Sequence, residues 1–377
     1  MTRIASFVAV LVLGAALPGA AQEDTGAERA IRAGLDWLQR TQEPDGSWDA
    51  IDRNPWHGEF GLPGFCGLAD SGIDPAVTAL AYLALLETGG AAPDSPHAAV
   101  ATRALGYLHD TGSDYVKFAG PPKSECICHG GHSISRMYDP PLVFLALLRA
   151  CEARPAEDLR KLGKDGLELL FSKRDEPTGT CRYLPRQDSG VSIFVLEAIF
   201  TARRAGIPVP AGLAEEAGAY WKLLIEPATG RVRHEDTNPQ CLGGWDAIAI
   251  SLSFQRAFDA ADSETARRQI DLLLGHAPKW DAVWELPARK DGPPTELIRL
   301  DRDVVNFFYW YHGTRALKPA GGETWRRWRE SLTSALVGAQ VTEGEDRGSW
   351  DPADPWGRIG GRVYSTAYAV RALAEAR

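Results

Sequence analysis

The chain has 377 residues, of which 44% are hydrophobic and 24% are charged, an ordinary composition for a globular protein. Its formal net charge of -9 argues against a nucleic-acid partner, because such proteins need a basic surface that neutralises phosphates. Twelve tryptophans indicate either a cavity walled by bulky side chains or aromatic packing between repeated units.

Residues 1–21 have the features of a signal peptide. Arg3 precedes an apolar run that ends in small residues, and Gly19 and Ala21 suit the positions before a cleavage site. The run is short for a membrane-spanning helix, and no later segment is apolar for long enough to cross a bilayer. We therefore expect an exported protein, periplasmic or extracellular, whose mature chain of residues 22–377 has no integral membrane segment.

The first two predicted helices differ in character. Residues 28–42 carry apolar side chains on one face only, which is typical of a helix packed on one side. Residues 73–90 are apolar on nearly every side, with Asp74 as the expected N-cap, Pro75 at the first helical position and glycines at the end. The second helix should therefore be buried all round.

The same couplet of a mixed helix and an apolar helix recurs five more times. The couplets are predicted at 97–112 and 139–153, 156–174 and 188–206, 211–225 and 243–260, 263–277 and 301–317, and 323–340 and 360–376. Their spacing of roughly 50–60 residues is close to that of helical repeat proteins. The pattern predicts an all-α protein of twelve helices.

Two loops show how the repeats are arranged. The loop "QEPDGSW" follows the first mixed helix, and "QVTEGEDRGSW" follows the last. An open solenoid should be most degenerate at its terminal repeats, yet these two couplets carry the clearest motif. We therefore predict one domain that closes into a ring, with six parallel inner helices surrounded by six outer helices.

The pattern Gln-x-x-x-Gly-x-Trp at Gln42, Gly46 and Trp48, together with "GSW…GGRVYSTAYAVRAL" near the C-terminus, resembles the repeats of terpenoid cyclases and protein prenyltransferases. It is most similar to bacterial proteins with prenyltransferase and squalene-oxidase repeats. The resemblance covers essentially the whole mature chain and implies an α/α toroid, a closed (α/α)6 barrel. The motif degenerates in the third and fourth couplets and is absent from the second and fifth, and it specifies a fold better than a reaction.

In such a ring the inner helices begin at one mouth, where their dipoles favour an anion or a developing negative charge. The candidate ligand-binding residues at this mouth are Asp74, Tyr138, Asp139, Asp188, Trp245, Asp246 and Ser365, and the candidate catalytic residues are Asp301, Asp303 and Tyr364. Helix capping alone would explain Asp74, Asp139 and Asp188. Asp301 and Asp303 are different, because two nearby carboxylates can share one proton, which would make Asp303 an acid.

The resemblance also allows two reactions to be tested on the residues. Squalene-type cyclases use an Asp-x-Asp-Asp motif, and here Val304 stands where the last Asp belongs. Protein prenyltransferases hold zinc with a Cys and a His, where this chain has Asp303 and Ser365. A protein prenyltransferase is therefore not expected.

The cysteines allow two interpretations. The cluster "CICHGGH" could bind zinc through Cys126, Cys128, His129 and His132. Alternatively, in an oxidising compartment Cys181 would pair with Cys241, and Cys66 with Cys126 or Cys128. We favour the disulfides and therefore expect no cofactor, with zinc as the alternative. Cys151 should be a buried free thiol.

Three functions remain open. The favoured one is an exported protein that binds an unknown ligand, isoprenoid-like or polymeric, at the mouth or in the cavity of the inner barrel. The others are an acid-catalysed, cyclase-like enzyme that uses Asp303 and a carbohydrate-active enzyme with paired carboxylates. The aromatic helix "NFFYWYHG" would suit either a ligand cavity or simple core packing.

Overall fold

The computed structural model describes residues 25–50, 73–118, 138–172, 174–175, 180–181, 189–209, 222–233, 243–257, 264–281, 305–354 and 356–377. Within these ranges lie eleven α-helices and a two-stranded antiparallel sheet. The helices are α1 (Gly26–Thr41), α2 (Asp74–Glu87), α3 (Ala98–Phe118), α4 (Asp139–Ala153), α5 (Glu157–Ser172), α6 (Ser189–Arg204), α7 (Trp245–Ala257), α8 (Glu264–Gly275), α9 (Phe307–Leu317), α10 (Gly322–Ala339) and α11 (Gly357–Glu375). The strands are β1 (Arg174–Asp175) and β2 (Thr180–Cys181), and a 3-10 turn at Lys318–Ala320 follows α9.

Six of the helices form a closed inner ring. Helices α2, α4, α6, α7, α9 and α11 each contact the next, and α11 contacts α2. The outer helices α1, α3, α5, α8 and α10 pack against this ring, and α1 contacts both α10 and α11. The first and last couplets therefore touch, and the closed ring of helix pairs that the sequence predicts is confirmed.

The two layers differ in burial as their sequences predict. Helix α1 begins with a capping box, in which Glu28 N donates to Thr25 Oγ1 at 3.2 Å and Thr25 N donates to Glu28 Oε2 at 2.8 Å. Its buried residues lie on one face, whereas every residue of α2 from Ala76 to Leu85 is buried. The mixed helices are thus the outer ones, and the apolar helices line the interior.

The loop motif of the first couplet fastens it to its neighbour. Gln42 Nε2 donates to Gly46 O at 2.9 Å within its own loop and to Val100 O at 3.0 Å in the next outer helix. The Trp48 ring is fully buried, and its Nε1 donates to Leu38 O at 2.9 Å. The glutamine therefore joins the first couplet to the second.

The last couplet repeats these bonds around the closure of the ring. Gln340 Nε2 donates at 2.8 Å both to Gly348 O and to Ala30 O, and Ala30 lies in α1. Trp350 Nε1 donates to Leu336 O at 2.7 Å. The recurrence of the motif near both ends of the chain is explained, because the last loop seals the ring against the first helix.

Two predicted N-caps and one predicted helix start are wrong. Helices α2 and α4 begin at Asp74 and Asp139, so the N-cap positions belong to Ile73 and Tyr138, which make no side-chain capping bond. Proline fits the second helical position as well as the first, so each Asp occupies the first helical position and not the N-cap. Helix α9 begins at Phe307, and its N-cap Asn306 accepts from Tyr309 N at 2.9 Å. Asp301 and Asp303 come before this start in the sequence and lie outside the described residues.

Candidate functional site

Acidic side chains lie at or just before the starts of several inner helices, at one end of the ring. Asp139 and Asp246 lie in the first turns of α4 and α7, and both are buried. Asp354 lies just before α11 and is fully buried. Burial raises the pKa of the Tyr364 hydroxyl, and the charges of Asp354 and Asp246 raise it further. Tyr138 acts on this pKa in the same direction. We call these five residues, Tyr138, Asp139, Asp246, Asp354 and Tyr364, the acidic mouth.

Asp354 fixes the geometry of this mouth. Its Oδ2 accepts from Phe307 N at 2.9 Å, and its Oδ1 accepts from Gly357 N, so it ties the start of α9 to that of α11. Burial raises the pKa of Asp354 to about 7, although the two backbone amides and Tyr364 act in the opposite direction. A carboxyl group that titrates near neutrality therefore sits among buried acids.

Sequence reasoning missed Asp354, although a signal was present. Both complete loop motifs continue with an Asp four residues after the Trp, at Trp48 and Asp52 and again at Trp350 and Asp354. Asp52 lies outside the described residues. The repeat of this spacing marks the position as part of the motif.

Asp74 also lies in the first turn of an inner helix, α2, but its carboxylate binds a loop. Its Oδ1 accepts from Ala50 N at 3.0 Å, which holds the end of the first motif loop. Burial, and then the charges of Asp49 and Asp45, raise the pKa of Asp74 to about 6, against the backbone hydrogen bond that lowers it. Asp74 thus anchors a loop beside α2.

Trp245 and Ser365 are buried within the wall of the ring. The Trp245 ring stacks on His276, with 3.6 Å between ring centroids, and Arg231 lies 5.1 Å from its centroid. Trp245 therefore packs toward the residues that follow outer helix α8. The Ser365 side chain is fully buried, and its Oγ has no hydrogen-bond partner among the described residues.

Aromatic rings from different inner helices contact one another across the interior of the ring. The ring centroids of Phe194 in α6 and Phe308 in α9 lie 5.9 Å apart, although α7 stands between these two helices in the ring. Tyr138 precedes α4 and Trp356 precedes α11, the two neighbours of α2 in the ring, and their ring centroids lie 6.4 Å apart. The ring of Phe308 also contacts that of Tyr368, with 5.7 Å between the centroids. These contacts cross the interior and form an aromatic layer.

Helix α9 presents aromatic rings both to the interior of the ring and to the outer layer. Phe308 contacts rings of α6 and α11 toward the interior, while Phe307 and Trp310 pack on Trp280 and Tyr309 packs on Trp328 of outer helix α10. Core packing therefore accounts for the outward rings, and the inward rings belong to the aromatic layer.

The remaining candidate residues lie outside the described residues. They are Asp188, Asp301, Asp303, Cys126, Cys128, His129 and His132, together with Cys66 and Cys241. Both the disulfides and the zinc cluster therefore remain predictions. Cys151 is buried and free, as expected.

No protein-family model and no curated protein sequence matches the chain. Solved structures do. A type II terpene cyclase variant from Scytonema, in complex with merosterolic acid A, superposes with a TM-score of 0.53 at 14% identity, over 93% of this chain and 97% of that one. An inactive α-1,6-mannanase variant from Salegentibacter superposes with a TM-score of 0.56 at 10% identity, over 93% of this chain and 99% of that one. The unsaturated glucuronyl hydrolase from a Bacillus species superposes with a TM-score of 0.54 at 14% identity, over 92% of this chain and 95% of that one.

The chain is an α/α toroid. At these identities the likenesses show the fold alone, and they include both terpene and carbohydrate enzymes. The toroid therefore leaves its chemistry to the side chains of its own interior. Among its described helices, none combines the length and the apolar character needed to cross a membrane.

Proposed function

We propose that this toroid is an exported protein that binds a hydroxyl-rich polymer, a glycan, at the acidic mouth. The observation that carries this proposal is that Asp246 and Asp354 are close enough to Tyr364 for their charges to raise its pKa, at the end of the ring where Asp139 also begins its helix. Carboxylates accept hydrogen bonds from hydroxyl groups, and charge-assisted bonds of this kind are stronger than neutral ones. Tyr138 and Trp356, whose rings meet beside these acids, offer apolar surface to the faces of sugar rings.

The aromatic layer favours a polymer held at the mouth over an isoprenoid chain threaded through the barrel. Phe194 and Phe308 are in contact across the axis, in the space that a long apolar chain would need. The mouth is acidic, which also disfavours a diphosphate group. Toroids of similar fold hold both kinds of ligand: α-1,6-mannotetraose in the Salegentibacter mannanase and geranylgeranyl dihydroxybenzoate in the Scytonema cyclase.

Glycan binding can be tested with the mature protein on an array of bacterial and plant polysaccharides, followed by calorimetric titration of the best binder. Asp246→Asn should weaken that binding about tenfold or more, through loss of a charged acceptor. Asp110→Asn is the matched control, because the Asp110 side chain is 90% exposed on outer helix α3. Binding to polyisoprenoid vesicles with no glycan bound would instead support the isoprenoid-like alternative.

Export is tested separately. The protein should be recovered from the periplasm or the medium, with Gln22 as its first residue. Recovery from the cytoplasm with residues 1–21 intact would contradict the signal peptide.

A second candidate function is acid catalysis at the same mouth. Asp354 has a pKa of about 7 and is therefore partly protonated at neutral pH, as a general acid requires. Asp303 remains the acid that the sequence predicts. Turnover of the bound glycan, or of a polyprenyl substrate, should be lost in Asp303→Asn if that residue donates the proton, and retained if it does not.

A further inference from the structure

A cavity lies at the opposite end of the ring, where the inner helices end. Its volume is about 630 Å³, and residues of all six inner helices line it, including Glu87, Arg149, Glu197, Arg315 and Arg371. This volume falls within the range of small-molecule sites, roughly 300–1,000 Å³. The aromatic layer separates it from the acidic mouth.

Positive charge predominates in this cavity, although the chain as a whole is acidic. Its described lining residues include five arginines and one lysine but three glutamates. Cations at the ends of helices interact favourably with the helix dipoles, which explains part of this distribution. The dipoles do not explain why the cations surround an open volume.

Arg371 is fixed at the floor of the cavity. Only 2% of the residue is exposed, and its guanidinium donates to Glu87 Oε2 at 2.9 Å, to Glu87 Oε1 at 3.0 Å and to Tyr311 Oη at 2.7 Å. The guanidinium also lies 4.1 Å from the centroid of the Tyr311 ring. Because only Nε and Nη2 make these bonds, Nη1 retains donors for a ligand.

His312 supplies an independent sign of a ligand. It lines the cavity, only 2% of it is exposed, and its Nε2 has no hydrogen-bond partner among the described residues. A buried polar atom without a partner is destabilising, so such atoms are rare unless something binds them. Burial, and then Arg315 and Arg371, lower the pKa of His312 well below its usual range, so the ring is neutral.

The glutamates narrow the class of ligand. Glu87 is held by Arg371, and Glu197 by Arg315, so part of the positive charge is already neutralised. The planar guanidinium can bind either a carboxylate or a phosphate, but these glutamates repel a phosphate dianion more strongly than a carboxylate that carries one charge. Hydroxyl groups on the same ligand can donate to the glutamate oxygens.

We propose that this cavity binds a small hydroxylated carboxylate, of the sugar-acid class, through Arg371, Arg149 and His312 Nε2. The site is independent of glycan binding at the acidic mouth, because it lies at the other end of the ring and uses different residues. It requires no metal, no cofactor and no chemical step.

Calorimetric titration of the mature protein with sodium glucuronate tests the proposal, with glucose and inorganic phosphate at matched ionic strength as comparisons. Glucuronate should bind, glucose should not, and phosphate should bind at least about tenfold more weakly. Asp246→Asn, at the acidic mouth, should bind glucuronate as the wild type does, even if glycan binding is lost.

Two variants test the named residues. His312→Phe should abolish glucuronate binding while its unfolding midpoint stays equal to or above that of the wild type, because the unpartnered Nε2 is gone. Arg149→Gln should weaken binding about tenfold, and it leaves Glu152 paired with Arg204 at 2.5 Å. The proposal is overturned if glucuronate does not bind, if phosphate binds as tightly, or if His312→Phe binds as the wild type does.

Discussion

The ring closure at Gly348 can be tested with two glycines of the same loop. Gly348 has φ of 97°, and Gly344 has φ of 73°, both in the left-handed region that disfavours side chains. A methyl group on Gly348 would overlap the backbone carbonyl of Ala33 in α1, whereas one on Gly344 would meet no atom within 4 Å. Gly344→Ala therefore isolates the conformational strain, and Gly348→Ala adds the overlap.

The expected magnitudes follow from these two contributions. Left-handed strain costs about 1–2 kcal/mol in either variant. Overlap with the Ala33 carbonyl adds about 1–3 kcal/mol, because a helix backbone cannot move without disturbing its packing. Gly348→Ala should thus reduce the free energy of unfolding by about 2–5 kcal/mol, and Gly344→Ala by about 1–2 kcal/mol.

Urea unfolding followed by tryptophan fluorescence provides the assay, since Trp350 is fully buried two residues from Gly348. Equal losses in the two variants would refute the reasoning, because they would show that α1 does not press against the loop. The comparison does not depend on the function of the protein.

Other outcomes can be measured in the same way. Gln340→Leu and Gln42→Leu should each reduce the free energy of unfolding by about 1–3 kcal/mol, since each removes two hydrogen bonds to carbonyl groups; a negligible effect of Gln340→Leu alone would argue against a closed ring. The folded-state pKa of Asp74 is raised from 3.8 to about 6, so its contribution to stability is present below pH 3.8 and is lost as the pH rises through about 6. Unfolding free energies of Asp74→Asn should therefore fall less over this window than those of the wild type, and parallel curves would contradict the raised pKa. Cys151 should react with a thiol reagent only after unfolding, and rapid reaction of the folded protein at this residue would contradict its burial.

The helix pairs and their closure could be predicted because their signals are local or repeated. The spacing of apolar residues distinguishes an outer helix such as α1 from an inner helix such as α2 within a single segment. Closure was visible because the same motif stands at Gln42 and at Gln340. A glutamine that reaches the next outer helix in the first couplet must find α1 when it occurs in the last.

The side-chain contacts at the acidic mouth and in the cavity at the other end of the ring could not be predicted in the same way. The partner that defines Asp354 is the backbone amide of Phe307, and no pattern of residue types reveals a bond to a distant amide. Arg371 and Glu87 stand 284 positions apart, and each resembles an ordinary charge near the end of a helix. Capping was predicted for Asp74 because a one-residue shift of a helix start has little effect on the apolar pattern.

The contact between α1 and the last couplet has a consequence for how the protein opens. In a linear repeat array the terminal repeats have one neighbour and fray first, so their amide hydrogens exchange fastest. Here α1 packs against α10 and α11 as well as α2, so the first repeat has no free face. Opening it must break two interfaces at once. Amides in the middle of α1 should therefore be protected from hydrogen exchange as strongly as those of α5, and the ring should lose its structure cooperatively.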